Sequence, residues 1–304
     1  MLPFDWHAED LTLTARSGQT SSLTRASDSG LAAFQDASGL VGYAARNAVR
    51  WHRDPATGLI GLLAENAITN LTKQASDVTQ SPWVCRGTAT PAKTLTGPDG
   101  VANSATVMTG VGQSGVNDFY QIVSKTAADG TRNEPCLWFY RVTTTGTVRF
   151  QNQQNITNGW WDIDLSKLAA GWNYLTRWHV AVTVNVDFSI KSNATGPQFS
   201  TGAAAGPVSF GLFNVQVPDT TVTTPSSPVP TGSSTATRQN DSNINWTFNG
   251  GTGLLSLLLE FIETGSVFGT GNYMLAMGTG AVYAGFRNHS GSNKYQGFHT
   301  NGGS

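Results

Sequence analysis

Five histidines, at positions 7, 52, 179, 289 and 299, are the first candidates for acid–base or metal chemistry in this chain of 304 residues. None stands in a short-spaced cluster of the HExxH kind, in which two imidazoles one helical turn apart share an ion. His179, on a strand, therefore reads as a surface or half-buried residue, and His289 and His299, in Gly/Ser/Asn loops, as solvated ones. Nucleophilic hydrolysis has one candidate, Ser114 in Gly112-Gln113-Ser114-Gly115. It lacks the GxSxG spacing and the strand-to-helix elbow that exposes such a hydroxyl. Asp162 and Asp164 in Trp161-Asp162-Ile163-Asp164 would share one strand face about 6 to 7 Å apart, a separation compatible with glycoside cleavage by paired carboxylates. Alternating acids on a solvated face, or a calcium site, are the commoner meaning of that pattern. No Walker or GxGxxG phosphate cradle occurs, and the residues assign no catalytic group, no metal site and no cofactor. Cys85 and Cys136 match no metal spacing, are too few for a disulfide framework, and each lies close to a tryptophan, as buried apolar thiols do.

What remains is aromatic surface. Nine tryptophans, several of them grouped (Trp160 with Trp161, Trp172, Trp178, and Trp138 near Tyr140), exceed what one domain core needs. An exposed ring is a platform on which the face of a sugar stacks, so Trp160, Trp161 and Trp172 are candidate carbohydrate-binding residues. Neighbouring side chains of a strand point to opposite faces. At most one of Trp160 and Trp161 therefore enters the core of its sheet, and the other is exposed or covered by a neighbour.

The elements that must position these rings are strands. Only 12% of residues are charged, against about a quarter in ordinary soluble domains, while Thr (38), Ser (26) and Asn (21) supply 85 of the 304 residues and Gly another 34. Thr favours pleated strands and Asn, Ser and Gly favour turns, whereas helix formers are scarce. A formal charge of −1, with Lys and Arg scattered singly, gives no field for a polyanion or an acidic membrane. Nucleic-acid binding and membrane insertion are not expected. The opening Met1–Leu11 lacks the basic and apolar regions of a signal peptide, and no window approaches the roughly 18 apolar residues of a spanning helix, so folding in a cytoplasm is expected.

Along the chain, residues 1–75 mix polar stretches with a dense block at 44–71, in which Asp54-Pro55-Ala56-Thr57-Gly58 is a turn between two short extended pieces. Glu65 to Leu71 fits a strand or one turn of helix equally. From 76 to 217 strand signals recur at 104–111, 119–124, 136–143, 147–152, 160–165, 174–184, 188–191 and 208–217, with no helical pattern between them. The fold class expected is all-β: an antiparallel β-sandwich or jelly roll at 76–217 after an N-terminal segment. Residues 218–243, with four prolines and almost no large apolar side chain, read as a linker in extended, partly polyproline conformation. Strand signals at 244–248, 254–263, 273–277 and 281–287 then open a partial second β-sandwich over 244–304, whose bare edges call for other chains or for further sequence.

Several of these residues stand at offsets that resemble a known group. Thr24-Arg25-Ala26-Ser27, Asn47-x-x-Arg50 and Asp54-Pro55-x-Thr57-Gly58-x-x-Gly61-Leu62-Leu63-x-Glu65-x-x-x-Thr69-Asn70-Leu71 resemble the N-terminal signature of tailed-bacteriophage fibre and spike proteins, whose later domains are concanavalin-like or laminin-G-like jelly rolls. Ser81-Pro82-Trp83, Gly97-Pro98-Asp99-Gly100, Gly171-Trp172, Phe213-Asn214-Val215-Gln216, Pro230-Thr231-Gly232 and Thr237-Arg238-x-x-Asp241 are similar, in order, to later landmarks of that group. His52-Arg53 and Ala64 depart from its pattern.

The resemblance implies a virion structural protein, a tail or head fibre or spike subunit, assembled in the host cytoplasm and anchored by residues 1–75 to head, tail or baseplate proteins. It implies a homo-oligomer, a trimer above all, whose lectin-like sandwich attaches to host surface polysaccharide. A capsid or tail decoration protein without a ligand is the alternative, and a polysaccharide depolymerase is disfavoured by the missing acid constellation. The group has no agreed catalytic residues, so none is carried over. Arg50, Asp54, Gly58, Glu65 and Asn70 are the motif residues expected to have a structural role, the polar ones as hydrogen-bonding groups that lock the N-terminal segment to the sandwich.

Overall fold

The computed structural model describes residues 21–25, 32–53, 60–63, 65, 67–123, 135–152, 160–176, 182–184, 195–201, 206–219, 226–246, 273–279, 282–288 and 295–300. The chain divides into two units, 1–252 and 253–304. Their described residues are all-β apart from one short 3-10 turn at Leu165–Lys167. Six short strands come first: β1 (Ser21–Arg25), β2 (Ala32–Gln35), β3 (Val41–Ala44), β4 (Trp51–Arg53), β5 (Ile60–Leu62) and β6 (Ile68–Asn70). The sandwich follows, made of β7 (Trp83–Cys85), β8 (Thr90–Leu95), β9 (Ala105–Val111), β10 (Phe119–Ile122), β11 (Cys136–Arg141), β12 (Thr147–Asn152), β13 (Trp160–Asp164), β14 (Gly171–Leu175), β15 (Val182–Val184), β16 (Thr195–Ser200) and β17 (Val208–Gln216). After it come β18 (Ala236–Arg238) and β19 (Asp241–Trp246), and the second unit holds β20 (Tyr273–Thr279), β21 (Val282–Asn288) and β22 (Tyr295–Thr300).

Two antiparallel sheets face each other, with strand orders β15-β13-β12-β16-β10-β7 and β14-β11-β17-β9-β8. Their cohesion is visible in one row of residues. Trp161, Phe150, Phe199 and Phe119 are direct partners across four adjacent strands of the six-stranded sheet, and all four are fully buried. Phe150 and Phe199 stack at 4.5 Å and Phe199 and Phe119 at 5.0 Å, while Trp161 meets Phe150 edge-on at 5.7 Å. From the opposing sheet Phe210 stacks on Phe139 at 4.8 Å and reaches Phe119 and Phe199. Such offset and edge-to-face pairs add about 0.5–1.5 kcal/mol each to the area they bury. Gly211 of β17 stands opposite Tyr140 because a Cβ there would lie 2.4 Å from Leu95 and 2.8 Å from Tyr140.

Three differences from the sequence expectation have physical causes. The single strand expected at 174–184 is two: β14 lies in the five-stranded sheet and β15 in the six-stranded one. Alternation of apolar side chains continues through a change of sheet, so the pattern alone does not reveal it. The strand β16 was hidden by its Gly196-Pro197 pair, which reads as a breaker. In the fold this pair falls where the ladder to β10 shifts register, between Tyr120 and Ile122. The edge strands β7 and β8 are a three-residue piece and a proline-containing, largely exposed piece, which blunts them against further pairing. The strand signals at 188–191 and 254–263 lie outside the described residues.

The N-terminal segment is built onto the sandwich. The β2–β3 hairpin lies on the outer face of the five-stranded sheet, where Ala33 and Val41 form a second core with Ala105, Trp138 and Phe213, joined by Tyr43, Leu95, Trp172 and Tyr174. The turn at Gly97–Gly100 receives it: Pro98 O accepts from Val41 N at 2.9 Å, and Gly100 takes the left-handed φ of 75° that closes the turn. Strands β4 and β5 pair antiparallel, and within the stretch from Glu65 to Leu71 the strand β6 spans Ile68–Asn70.

The proline-rich stretch is fastened too. Residues 226–235 have no regular secondary structure, yet Val229 is fully buried, Ser226 O accepts the Tyr174 hydroxyl at 2.7 Å, and Val229 N donates to Gln216 Oε1 at 2.7 Å. β18 pairs with β6 and β19 with β1, so the strand signal at 244–248 completes a ladder in the first unit. In the second unit β20, β21 and β22 form an antiparallel meander.

Candidate functional site

Alternation along β13 sends Trp161 and Ile163 inward and Trp160 and Asp162 outward. Register then sets Tyr120, Gln198, Gln151 and Trp160 side by side across β10, β16, β12 and β13, with Ser200, Arg149 and Asp162 in the next row of the same face. At one end, Arg149 donates from Nε to Asp162 Oδ1 (2.7 Å) and from Nη2 to Oδ2 (2.8 Å), and its guanidinium lies 4.9 Å over the half-buried Trp160 ring. The other end repeats the construction. Arg86 donates from Nε to Asp118 Oδ1 (2.5 Å) and from Nη2 to Oδ2 (2.7 Å), and sits 4.7 Å over Tyr120. Hydrogen bonds to these carboxylates push both guanidiniums further into the charged form, Asp118 acting on Arg86 and Asp162 on Arg149. Three strand spacings separate the two ends, about 14 Å.

Between them Gln151 Nε2 donates to Gln198 Oε1 at 2.9 Å, and both amides donate to Ser114 Oγ, at 3.3 and 3.2 Å. Asp118 Oδ2 also accepts from Gly115 N at 2.7 Å and from Gln198 Nε2, holding the 112–118 loop across the middle of the face. Gln151, Gln198 and Asp118 are sealed by that arrangement, so the reachable groups are Arg86 with Tyr120 and Arg149 with Asp162 and Trp160. The Trp160 indole N–H and the Ser200 hydroxyl are buried there without a hydrogen-bond partner among the described residues. Rigid aromatic planes, fixed donors and acceptors, and cations each neutralised by a bidentate carboxylate suit an uncharged polyhydroxylated ligand.

The three candidate tryptophans do not converge. Trp161 is corrected: its side chain is fully buried in the sandwich core, where no ligand can stack on it. Trp172 lies on the outer face of the other sheet, edge-on to Tyr140 and Phe213, with Nε1 donating to Thr96 O at 3.1 Å. Trp160 alone faces the polar strip. Asp162 is committed to Arg149. Asp164 accepts from Ser166 N (3.0 Å) and Oγ (2.6 Å), bonds that hold its carboxyl below the ordinary range. A general acid needs the opposite displacement. His52 Nδ1 accepts from Gln35 N at 2.9 Å and so fastens β4 to β2. Among the described residues no three His, Cys, Asp or Glu side chains gather around a metal-sized site. Cys85 and Cys136 are free thiols, and burial pushes Cys136 up to about 12.

A second polar centre holds the N-terminal segment. Arg50, fully buried, pairs with Glu65 through Nη1 and with Asp241 through Nη2. Arg25 donates to Asp241 Oδ1 (3.0 Å) and to the carbonyls of Ala45 and Ala48 (2.7 and 2.6 Å). Arg238 stands 3.0 Å from Glu65 Oε2 and 2.7 Å from Ser227 Oγ, while Ser227 N donates to Glu65 Oε1 at 2.6 Å. Burial alone would raise the Glu65 carboxyl, but Arg238, Arg50 and Ser227 hold it down at about 2. Asn70 ties the segment to the sandwich: its Nδ2 donates to Val215 O (3.1 Å) and Val229 O (2.8 Å), and its Oδ1 accepts from Val217 N (3.1 Å) and Thr72 N (3.0 Å). Asp54 and Gly58 lie outside the described residues. Arg25, Arg238 and Asp241 were visible in the sequence only as motif letters. The signal that they form a site was their charge, in a chain with few charges to spare.

No protein-family model matches the chain, and no curated protein sequence matches it.

Proposed function

We propose that this protein is a bacteriophage virion structural protein, a fibre or spike subunit that attaches to host surface glycan. The outer face of the six-stranded sheet is the attachment surface. The observation that carries the glycan half is the strip from Arg86 and Tyr120 to Arg149, Asp162 and Trp160, where aromatic planes lie beside hydrogen-bonding groups whose charges cancel. Attachment is non-catalytic in this reading, since Asp162 and Asp164 are both engaged as acceptors. The virion half rests on the phage-like motif. Arg25, Arg50, Glu65, Asn70, Arg238 and Asp241 are spread over more than 200 positions, and they supply the contacts that lock the N-terminal segment to the chain that follows the sandwich. The sandwich is read more finely as a lectin-like jelly roll, the partners as head, tail or baseplate proteins and further copies of the chain in a trimer, and the location as the virion.

A particle-stabilising decoration protein is the second reading. The observation in its favour is the lock itself, a device for rigidity that needs no ligand. Immunogold electron microscopy of the encoding phage with antibody to this chain tests the virion half: labelled particles are expected, and unlabelled particles with free antigen in the lysate would overturn it. Adsorption by particles stripped of the protein separates the two readings. Lost adsorption supports attachment, and intact adsorption by fragile particles supports decoration.

A further inference from the structure

The path of the chain through the first unit carries a mechanical consequence. The sandwich, 71–217, leaves and returns at one place: Leu71 N donates to Val217 O at 2.8 Å, Asp219 N donates to Thr69 O at 3.1 Å, and Asn70 bridges to Pro218. From that point the chain before the sandwich and the chain after it run side by side in opposite directions. Asn70, Thr69 and Ile68 pair with Ala236, Thr237 and Arg238, Glu65 O accepts from Asp241 N at 2.9 Å, and Arg25 to Ser21 pair with Asp241 to Trp246. The sandwich is thus a closed loop on a two-part stem, residues 21–70 and 218–246, part of which (the β2–β3 hairpin and residues 226–229) also rests on it, and the outermost described pair of the stem is Ser21 with Trp246.

We propose that this stem is a force shunt, and that the Arg25–Arg50–Glu65–Arg238–Asp241 cluster is its yield point. Tension between the two ends of the chain arrives at Ser21 and Trp246, which are ladder partners. It therefore opens β1 from β19 one pair at a time and does not reach the sandwich while that ladder and the cluster behind it stand. The last pair of that ladder is Arg25 with Asp241. Behind it Asp241 also holds Arg50 and accepts from Glu65 N at 3.0 Å, so peeling halts at five interlocked charges that have to be exposed together. Separating buried partners in this way leaves charge uncompensated in an apolar surround, a far larger penalty per step than parting one ladder pair. The sandwich, with its ligand face and aromatic core, keeps its shape for as long as the cluster holds. The device suits any chain pulled from both ends, whatever the sandwich binds.

Single-molecule pulling on the full chain, with handles at its two termini, tests this. Apart from extension of the chain outside residues 21–246, which includes the second unit, the expected record has one event releasing about 270 Å, for residues 21–70 and 218–246, before a separate event of about 500 Å for residues 71–217. Asp241→Asn is expected to lower the force of the first event and leave the second unchanged. A second variant removes dependence on how well that one folds. Ser21 and Trp246 face each other across an antiparallel ladder at about 4.5–5.5 Å between Cα atoms, within reach of a disulfide. In the double variant Ser21→Cys with Trp246→Cys, oxidation is expected to delete both events and shorten the full extension by about 770 Å, and reduction to restore them. One merged event of stem and sandwich, a sandwich event that precedes the stem event, a fall in the second force with Asp241→Asn, or a 500 Å event surviving in the oxidised chain would each overturn the proposal.

Discussion

The pair Trp160 and Trp161 shows how far single residues decide this molecule. That they point to opposite faces follows from strand alternation alone. Which of them points inward does not, because alternation fixes relative direction and only the buried partner Phe150 of the neighbouring strand defines the inner row. The consequence is measurable in stability. Trp161→Ala is expected to cost about 3–5 kcal/mol, as large-to-small changes in a packed core do, and Trp160→Ala less than about 2 kcal/mol, for its stacking with Arg149 and partial burial. Urea titration of the two variants checks this, and equal losses would contradict the assignment of faces. Glu65 makes the second residue-scale prediction. Its carboxyl is held at about 2 in the folded chain against an ordinary 4.5, so its contribution, about 3 kcal/mol, is fully present above pH 4.5 and is lost as the pH falls toward 2. Thermal melts of the native chain and of Glu65→Gln between pH 7 and pH 2 are expected to converge at the acid end.

At the scale of elements, composition misjudges the chain after the sandwich. Residues 218–243 contain so little apolar surface that an extended linker is the natural reading, yet Pro218, Pro228, Val229 and Arg238 are buried, and the described part is held by partners no composition reveals: Tyr174, Gln216, Glu65 and Asn70. Strands with clean alternation, such as β12, were legible to the residue. Those carrying Gly-Pro, as β16 does, or changing sheet, as between β14 and β15, were not, because local pattern does not encode which sheet a strand joins. A chain ending at residue 225 lacks Ser227, Val229, Arg238 and Asp241 and leaves Arg50 and Glu65 short of partners. It is expected to melt roughly 10 °C below a chain ending at residue 252, given about 3–5 kcal/mol for a broken buried pair. Differential scanning fluorimetry of the two truncations makes the comparison, and equal melting temperatures would mean that the segment is only tethered.

For the whole molecule, the scarcity of charge acquires a definite meaning. Three of the arginines are spent in the buried lock and two more are neutralised on the outer face by Asp118 and Asp162, so the proposed attachment surface is polar without being charged. The sequence named Trp160 as a candidate but not its setting, since Arg86, Asp118, Tyr120 and Arg149 come together only through the register of five strands. An uncharged polysaccharide is the ligand such a face suits, and in the proposed virion role weak single contacts would be multiplied by the number of copies. The most direct measurement is retention of the full chain, displayed in several copies on beads, on host surface polysaccharide. The account predicts retention that is insensitive to salt and at least about tenfold weaker in both Trp160→Ala and Arg149→Ala, a loss of about 1.4 kcal/mol per contact. Retention in both variants equal to that of the native chain, or no retention of the multivalent native chain on any host polysaccharide, would contradict it.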